Sequence, residues 1–146
     1  MWFEIGVYHV KYEVNIGTLW RSAWQLGAAG VFTIGKRYKK QFSDTVGVPD
    51  KIPLRYYLTF DQFLAARPVD APLVGVELGG QTLESFVHPK NAIYLLGAED
   101  HGIPDKFLAR CDRIVTLPSV RWPSYNVAVA GSLIMFHRFL QFKRLI

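Results

Sequence analysis

The sequence has few of the features that define several large protein classes. It contains a single cysteine, Cys111, so no disulfide can form within the chain, and this composition fits a reducing cytoplasm. It has no apolar run of about 18 residues, the length that a transmembrane helix requires. Its first residues lack the basic start and the long apolar stretch of a signal peptide. We therefore expect a cytoplasmic protein that does not contact a membrane.

Two common nucleotide-binding motifs are also missing. No Gly-Lys-Ser/Thr follows the glycine-rich segment near residue 97, and no Gly-x-Gly-x-x-Gly follows the first predicted strand. A small dehydrogenase or another nucleotide-binding α/β enzyme is therefore a weaker alternative. The histidines have no metal-ligand spacing with Cys111, so we predict no metal and interpret each as a surface or capping residue: His9, His88, His101 and His137.

The composition indicates one folded domain with a basic surface. Half of the 146 residues are hydrophobic and 14% are aromatic, which is enough for a sizeable core in a single domain over 1–146. The chain has 17 basic and 12 acidic residues, a net charge of +5. This surplus favours a polyanionic partner without identifying it.

Apolar, β-rich runs alternate with helical patterns along the chain. The strand at 92–96 carries no charge, which is typical of a parallel strand buried on both faces. The alternation predicts an α/β fold with a mostly parallel sheet and helices on both faces. The predicted strands are 3–10, 30–34, 54–58, 72–76, 92–96 and 114–117, and the predicted helices are 18–26, 59–66, 104–110 and 127–144, with at most one helical turn at 83–86.

The first motif lies between the first strand and the first helix. Residues 15–21 read Asn-Ile-Gly-Thr-Leu-Trp-Arg. Open α/β sheets bind ligands at the carboxyl ends of their strands, so the position suits a site. We expect Asn15 to cap the helix. Alone, the motif is a weak signal, because Asn-x-Gly is an ordinary turn and an arginine on a first helix, here Arg21, is usually a solvated charge.

The second motif follows the uncharged strand. Residues 95–104 read Leu-Leu-Gly-Ala-Glu-Asp-His-Gly-Ile-Pro. The glycines allow a backbone to approach a ligand closely, and the carboxylates accept hydrogen bonds but would repel phosphate. The loop therefore suits a nucleoside or a cation. The alternative is a strand-to-helix turn with incidental acids.

The third motif joins the last strand to the last helix. Residues 117–130 read Leu-Pro-Ser-Val-Arg-Trp-Pro-Ser-Tyr-Asn-Val-Ala-Val-Ala. Ser124 or Asn126 can cap the helix, since both residue types are preferred N-caps. A cap alone does not account for the whole string.

In this order and spacing, the three motifs resemble those of the SpoU family of RNA 2′-O-ribose methyltransferases, within the SPOUT superfamily. Asn15-x-Gly17-x-x-x-Arg21 is similar to the family's first motif. The second and third are matched by Leu96-Gly97-x-Glu99-x-x-Gly102-Ile103-Pro104 and by Leu117-Pro118 with Ser124-x-Asn126-Val127. The resemblance spans nearly the whole chain. It implies an α/β sheet with a C-terminal trefoil knot, S-adenosylmethionine held in the knot, and a homodimer.

The resemblance also implies roles for individual residues. Arg21 would bind RNA phosphate or the developing oxyanion, and Asn15 would position Arg21 or the ribose. Glu99 would orient the site by hydrogen bonding, while Ser124 and Asn126 would arrange the catalytic loop. The cofactor residues implied are Val76, Glu77, Leu96, Gly97, Leu117, Ser119 and Ser124.

The candidate RNA surface is basic. The densest run, residues 36–40, follows a strand end beside the proposed site, where basic side chains can neutralise phosphates. The alternative is a solvated loop. The chain is similar to minimal single-domain family members, several of which act on tRNA, so tRNA is favoured over rRNA. The RNA-binding candidates are Arg21, Lys36, Arg37, Lys39, Lys40 and Arg121, with Arg55 and Trp122 as further candidates.

The last helix supports a homodimer independently of the resemblance. Its apolar residues surround most of its circumference, so it must be buried on more than one side. One side can face its own sheet, and the other needs a second subunit. The alternative is a helix covered within its own chain. A non-catalytic RNA-binding module that keeps the fold is the main functional alternative to the enzyme.

Overall fold

The computed structural model describes residues 1–38, 47 and 51–143. The described elements are β1 (Phe3–Tyr8), α1 (Glu13–Gln25), β2 (Gly30–Ile34), β3 (Leu54–Tyr57), α2 (Phe60–Ala66), β4 (Leu73–Thr82), a 3₁₀ turn (Leu83–Ser85), β5 (Ala92–Leu96), α3 (Asp105–Leu108), β6 (Arg113–Thr116) and α4 (Val127–Lys143). The six strands form one sheet in the order β3-β2-β1-β5-β4-β6. Every strand pair in it is parallel, as the sequence predicted.

Helices cover both faces of the sheet, which confirms the predicted α/β layering. On one face, α1 and α4 pack over β1 and β5 in a shared apolar core. Gly131 allows the two helices to approach, because a Cβ there would lie 2.4 Å from Leu19 Cδ1. The hydroxyls of Ser132 and Ser22 hydrogen-bond between the helices at 3.0 Å. On the other face, α2 and α3 cover a second core that contains Phe32.

Two boundaries near the first motif differ from the prediction. β1 ends at Tyr8 rather than at residue 10 because His9 has a φ of +50° and turns the chain out of the sheet. α1 begins at Glu13 rather than at residue 18, so Asn15 lies in its first turn. The expectation that Asn15 caps this helix was therefore wrong. The N-cap position is Tyr12, whose side chain makes no capping hydrogen bond.

β4 is longer than predicted and irregular where it reaches the site. It continues to Thr82, and its pairing with β6 shifts in register between Val76 and Gln81. Gly79 has a φ of +85°, and a Cβ at Gly80 would lie 2.3 Å from the carbonyl oxygen of Ile114. Two consecutive glycines therefore allow the bulge that follows Glu77.

His88 is not a surface histidine as expected, because it is only 3% exposed. Its Nδ1 lies 2.6 Å from the Tyr94 hydroxyl and its Nε2 lies 2.9 Å from His137 Nδ1. Arg138 donates to the Tyr94 hydroxyl at 3.2 Å and to the carbonyls of Pro89 and Lys90. This cluster ties the segment before β5 to α4. Within the described part of the chain, no helix is long and apolar enough to cross a membrane.

Candidate active site

A cavity of about 440 Å³ opens at the carboxyl ends of β5 and β6, beside the bulge in β4. Its walls include residues of the second and third motifs and of the middle of β4, which the fold brings together. Six of the seven residues predicted to bind the cofactor line it: Val76, Glu77, Leu96, Gly97, Leu117 and Ser124. Ser119 is exposed and is not among the residues that line it.

The loop 97–103 has a tight conformation that its glycines make possible. Ala98 and Gly102 form an antiparallel bridge, in which Gly102 N–H donates to Ala98 O at 2.9 Å. A Cβ at Gly97 would lie 2.2 Å from the backbone of Gly102. Gly102 itself has a φ of +63°, a conformation that favours glycine. The backbone of this loop can therefore approach a ligand in the cavity closely.

The Glu77 carboxylate is held beside this loop by main-chain groups. Its Oε1 accepts from Leu78 N–H at 2.9 Å and its Oε2 accepts from Ile103 N–H at 3.0 Å. A Cβ at Gly102 would lie 2.3 Å from Oε2, so only glycine leaves room for the carboxylate there. Glu77 thus gives the cavity a carboxylate preoriented by two main-chain N–H groups, beside the carboxylates of Glu99, Asp100 and Asp105 that also line it.

A chain of polar side chains joins all three motifs next to the cavity. Asn126 Nδ2 donates to Asn15 Oδ1 at 3.0 Å, and Asn15 Nδ2 donates to Glu99 Oε1. Glu99 Oε2 accepts from Lys11 N–H at 3.0 Å. Asn126 also caps α4, because its Oδ1 accepts from the main-chain N–H groups of Ala128 and Val129 at 2.9 and 3.2 Å. The predicted cap at the third motif is therefore Asn126.

A second group of polar contacts, centred on Lys11, joins neighbouring segments at the same edge of the sheet. Lys11 Nζ lies 2.7 Å from Asp100 Oδ2. The hydrogen bond to Asp100 raises the pKa of Lys11, and the hydrogen bond from Lys11 lowers the pKa of Asp100. Lys36 Nζ donates to the Lys11 carbonyl oxygen at 2.9 Å. The segment after β1 is therefore fixed both to the second motif and to the basic segment after β2.

The third-motif loop is closed at its base and exposed at its tip. The Tyr125 hydroxyl donates to the Pro118 carbonyl oxygen, while Val120 is 99% exposed and Trp122 is 76% exposed. Arg121 lies on this exposed tip. The tip therefore projects from the rim of the cavity.

Of the remaining basic candidates, Arg21 and Arg37 do not line the cavity. Arg21 is exposed on α1, does not line the cavity, and has no hydrogen bond or ion pair to another described residue. The Arg37 guanidinium lies 4.6 Å from the centre of the Tyr56 ring. Lys39 and Lys40 lie outside the described residues.

Sequence reasoning missed several contributors to the site. Lys11 contributes through its main-chain N–H, which no side-chain pattern could reveal. Ile103, Tyr125 and Val127 line the cavity as neighbours of motif residues. Their places in the motifs were a usable signal.

Comparison with known proteins agrees with this architecture. Residues 3–136 match the model of the SpoU rRNA Methylase family. A protein from Archaeoglobus fulgidus described as an uncharacterized tRNA/rRNA methyltransferase is 25% identical over 140 residues, which covers 92% of this chain and 62% of that protein. This chain therefore spans less than two thirds of that relative.

Solved structures have the same fold. An AdoMet-bound rRNA methyltransferase from Sinorhizobium meliloti has a TM-score of 0.84 at 23% identity over 99% of this chain and 57% of its own. A structure described by the 2-OH methylation of C/U34 on tRNA has a TM-score of 0.85 at 23% identity over 97% of both chains. The A. aeolicus TrmH/SpoU tRNA modifying enzyme has a TM-score of 0.86 at 17% identity, over 98% of this chain and 76% of its own.

The family model covers most of the chain, including all of the first two motifs and the third motif up to and beyond its Ser-x-Asn-Val core. The chain belongs to the SpoU rRNA Methylase family.

Proposed function

We propose that this protein transfers a methyl group from S-adenosylmethionine to a ribose 2′-hydroxyl of RNA. The observation that carries the proposal is the chain of hydrogen bonds from Asn126 through Asn15 to Glu99, placed beside a cavity lined by the second and third motifs. Family membership supports methyl transfer to RNA. The ribose position and the RNA species are the finer parts of the proposal.

The cavity fits S-adenosylmethionine in size and chemistry. Its volume of about 440 Å³ lies in the range of small-molecule sites. Apolar side chains of Leu96, Leu117 and Val127 would surround the adenine, and the Gly97–Gly102 backbone offers close hydrogen-bonding groups. The Glu77 carboxylate would accept hydrogen bonds from ribose hydroxyls. When bound, the cofactor supplies an electrophilic methyl group on a sulfonium.

The residues of this chain would position the RNA ribose and stabilise its oxygen as the proton leaves. The Glu99 carboxylate accepts hydrogen bonds from Asn15 Nδ2 and from Lys11 N–H. It would orient the active site by hydrogen bonding. Arg21 would bind a phosphate or the developing oxyanion, because a guanidinium is a cation with several N–H donors. Because these groups are fixed before RNA binds, less entropy is lost when the ribose oxygen is aligned with the methyl carbon.

We infer that the protein acts as a homodimer and that Arg21 serves the partner's cavity. Val129, Leu133 and Phe136 form one exposed stripe along α4, and they are 48%, 40% and 50% exposed. An apolar stripe on a helix is usually covered by a partner. Arg21 lies on the exposed side of α1, which packs against α4, so a partner seated on the stripe would come close to it.

The strand order supports the knot that the family resemblance implies. β5 enters the sheet between β1 and β4, and β6 then adds on the far side of β4, while the loops after both strands line one cavity. We propose that the C-terminal part is tied in a trefoil knot. An experimental structure whose C-terminal segment passes through no loop of the chain would contradict this.

tRNA is the proposed substrate class. The similar structure described by methylation of C/U34 on tRNA matches this chain over 97% of both lengths, which supports tRNA as the substrate. The basic surface formed by Lys36 and Arg37 would bind phosphates of the tRNA.

The test is transfer of labelled methyl from S-adenosylmethionine to total RNA from cells that lack this enzyme, followed by nucleoside mass spectrometry. A 2′-O-methylnucleoside in the tRNA fraction is expected, and the same product in rRNA would correct the substrate. A base-methylated product would overturn the ribose assignment. If the protein binds RNA but neither transfers methyl nor is stabilised by S-adenosylhomocysteine, it is the non-catalytic module instead.

A further inference from the structure

His9, at the end of β1, has a backbone conformation that residues with a side chain rarely adopt. Its φ is +50°, and it is the only non-glycine residue with a positive φ in the described part of the chain. This left-handed region is unfavourable for any residue with a Cβ, although histidine enters it more often than most. His9 N–H donates to the Ile34 carbonyl oxygen at 2.9 Å, which holds the turn in place.

The imidazole of His9 packs against two neighbouring residues, yet the side chain stays exposed to solvent. Its ring lies 4.4 Å from the Tyr8 ring at an interplanar angle of 36°. It also lies against Gly35, where a Cβ would come within 2.1 Å of His9 Nε2, so only glycine permits this position. The His9 side chain is exposed, and its ring nitrogens have no hydrogen-bond partner in the described residues. Within the described residues, the imidazole itself therefore makes no polar contact.

A run of aromatic rings connects His9 to the core. Tyr8 contacts Phe107 edge-on at 4.9 Å, and Phe107 stacks on Phe60 at 4.1 Å. Phe60 belongs to the buried core on this face of the sheet. Because each ring is packed against the next, the exposed imidazole is a fixed surface rather than a freely rotating side chain.

His9 lies two residues before Lys11, which contacts both the hydrogen-bond chain at Glu99 and the basic residue Lys36. Lys11, two residues on, donates its main-chain N–H to Glu99 and accepts from Lys36 Nζ at its carbonyl. Two residues of chain span at most about 7 Å. An RNA strand that follows the Lys36 edge to the ribose site would therefore pass His9.

We propose that His9 is a stacking platform for a nucleobase of the substrate RNA, next to the ribose that is methylated. Aromatic rings bind bases of single-stranded RNA through their faces, and this contact tolerates any base. An exposed ring that packs on Tyr8 beside a basic edge, with no hydrogen bond from its nitrogens to the described residues, has this chemistry. The proposal rests on the proposed RNA methyltransferase function and deepens it.

The test compares ring removal with ring replacement by measuring RNA binding. Fluorescence anisotropy would use a single-stranded oligoadenylate of about 12 nucleotides and a matched oligomer with the same sugar-phosphate backbone but no bases. H9G keeps the left-handed backbone and removes the ring, while H9Y keeps an aromatic ring. H9G should bind oligoadenylate at least about five-fold more weakly, bind the abasic oligomer as the wild type does, and leave the salt slope unchanged. H9Y should stay within about two-fold, as an order of magnitude for a retained stack.

Stability separates this role from a structural one. The thermal midpoint of H9G should be unchanged or higher, because glycine relieves the left-handed strain. Equal binding of oligoadenylate by H9G and the wild type would overturn the stacking role, and so would an equal loss on the abasic oligomer. Methyl transfer by the wild type in either case would leave the proposed function intact. Base-dependent binding without methyl transfer would support His9 and refute the enzyme.

Discussion

The side-chain amide of Asn126 donates to the side-chain oxygen of Asn15 across 3.0 Å, joining residues 111 positions apart. The direction of this bond is fixed, because Asn126 Oδ1 already accepts from the first turn of α4. Asn15 must then donate its own amide to Glu99. Each member of the chain therefore determines the orientation of the next, and the cap of one helix sets the geometry of the candidate site.

Asn126→Ser should keep the helix-capping role of residue 126 and remove its hydrogen bond to Asn15. Serine caps a helix about as well as asparagine, but it has no second polar group that could reach Asn15 Oδ1 while its hydroxyl caps α4. We expect helix content to be kept and methyl transfer to fall strongly, with stability reduced by about 1–3 kcal/mol for the unpaired Asn15 oxygen. Steady-state methylation and urea unfolding would measure the two effects.

Thr18→Ala is the matched control for that variant. Thr18 is exposed on α1 and its hydroxyl bonds only to Val14 O at 3.1 Å, within its own helix. Its removal should leave methyl transfer unchanged. Full activity of Asn126→Ser would show that the cap alone matters.

The sequence motifs predicted the side chains that form this hydrogen-bond chain, but not which of them bond to each other. The fold class, the strand at 92–96 and a cap at Ser124 or Asn126 follow from periodicity and residue preference, which are local properties. Asn15 was expected to cap α1, because Asn-x-Gly beside a strand end is a usual turn. Its actual partners lie 84 and 111 positions away, and local pattern carries no information about such distances.

Gly97→Ala should abolish cofactor binding because the added methyl would meet the Gly102 backbone at 2.2 Å. Saturating ligand at about 100 times Kd stabilises a protein by about 2.7 kcal/mol, and this increment from S-adenosylhomocysteine should disappear. Thermal unfolding with and without the ligand measures it.

Gly27→Ala is the control for the loop variant. Gly27 has a φ of +86° with no atom within 4 Å of a built Cβ, so alanine there is strained by the backbone alone. It should lower stability by about 1 kcal/mol and leave the ligand-induced increment intact. If Gly97→Ala keeps the increment, the loop 97–103 does not bind the cofactor.

His88 should make the protein sensitive to acid. Burial, then the neighbouring His137 and Arg138, lowers the pKa of His88 from 6.5 to about 3. In the unfolded chain His88 takes up a proton below about pH 6.5, whereas in the folded chain it stays neutral until about pH 3. The unfolded state thus binds more protons in this window, and stability falls as the pH falls through it.

The measurement is the free energy of unfolding at about pH 5 and about pH 6 for the wild type and His88→Gln. Loss of one titrating histidine should reduce the slope by up to about 1.4 kcal/mol per pH unit. Equal slopes for the wild type and His88→Gln would contradict the assignment.

The burial of His88 shows a second limit of sequence reasoning. Its partners Tyr94, His137 and Arg138 come from β5 and α4. Arg138 stands in the middle of an apolar helix, where an arginine is usually placed at the surface. Only the packed fold shows that its guanidinium binds the carbonyls before β5.

Phe136→Glu should dissociate the proposed dimer. Phe136 is half exposed at the C-terminal end of the α4 stripe and stacks on Phe139, so a carboxylate would be buried without a partner in a dimer. Sedimentation velocity should show a monomer. Val69→Glu, at a 97% exposed site away from α4, should sediment as the wild type does. A dimeric Phe136→Glu variant would place the interface elsewhere.

Arg21→Ala should abolish methyl transfer and leave S-adenosylhomocysteine binding intact, because Arg21 does not line the cavity of its own chain. Mixing this variant with Gly97→Ala then identifies which subunit supplies the arginine. In a mixed dimer, the only intact cavity belongs to the subunit that lacks the arginine, and the only intact arginine belongs to its partner. Activity recovered on mixing shows that Arg21 acts across the dimer. A mixture as inactive as its components would show that each arginine serves the cavity of its own chain, through a movement of α1 relative to the cavity.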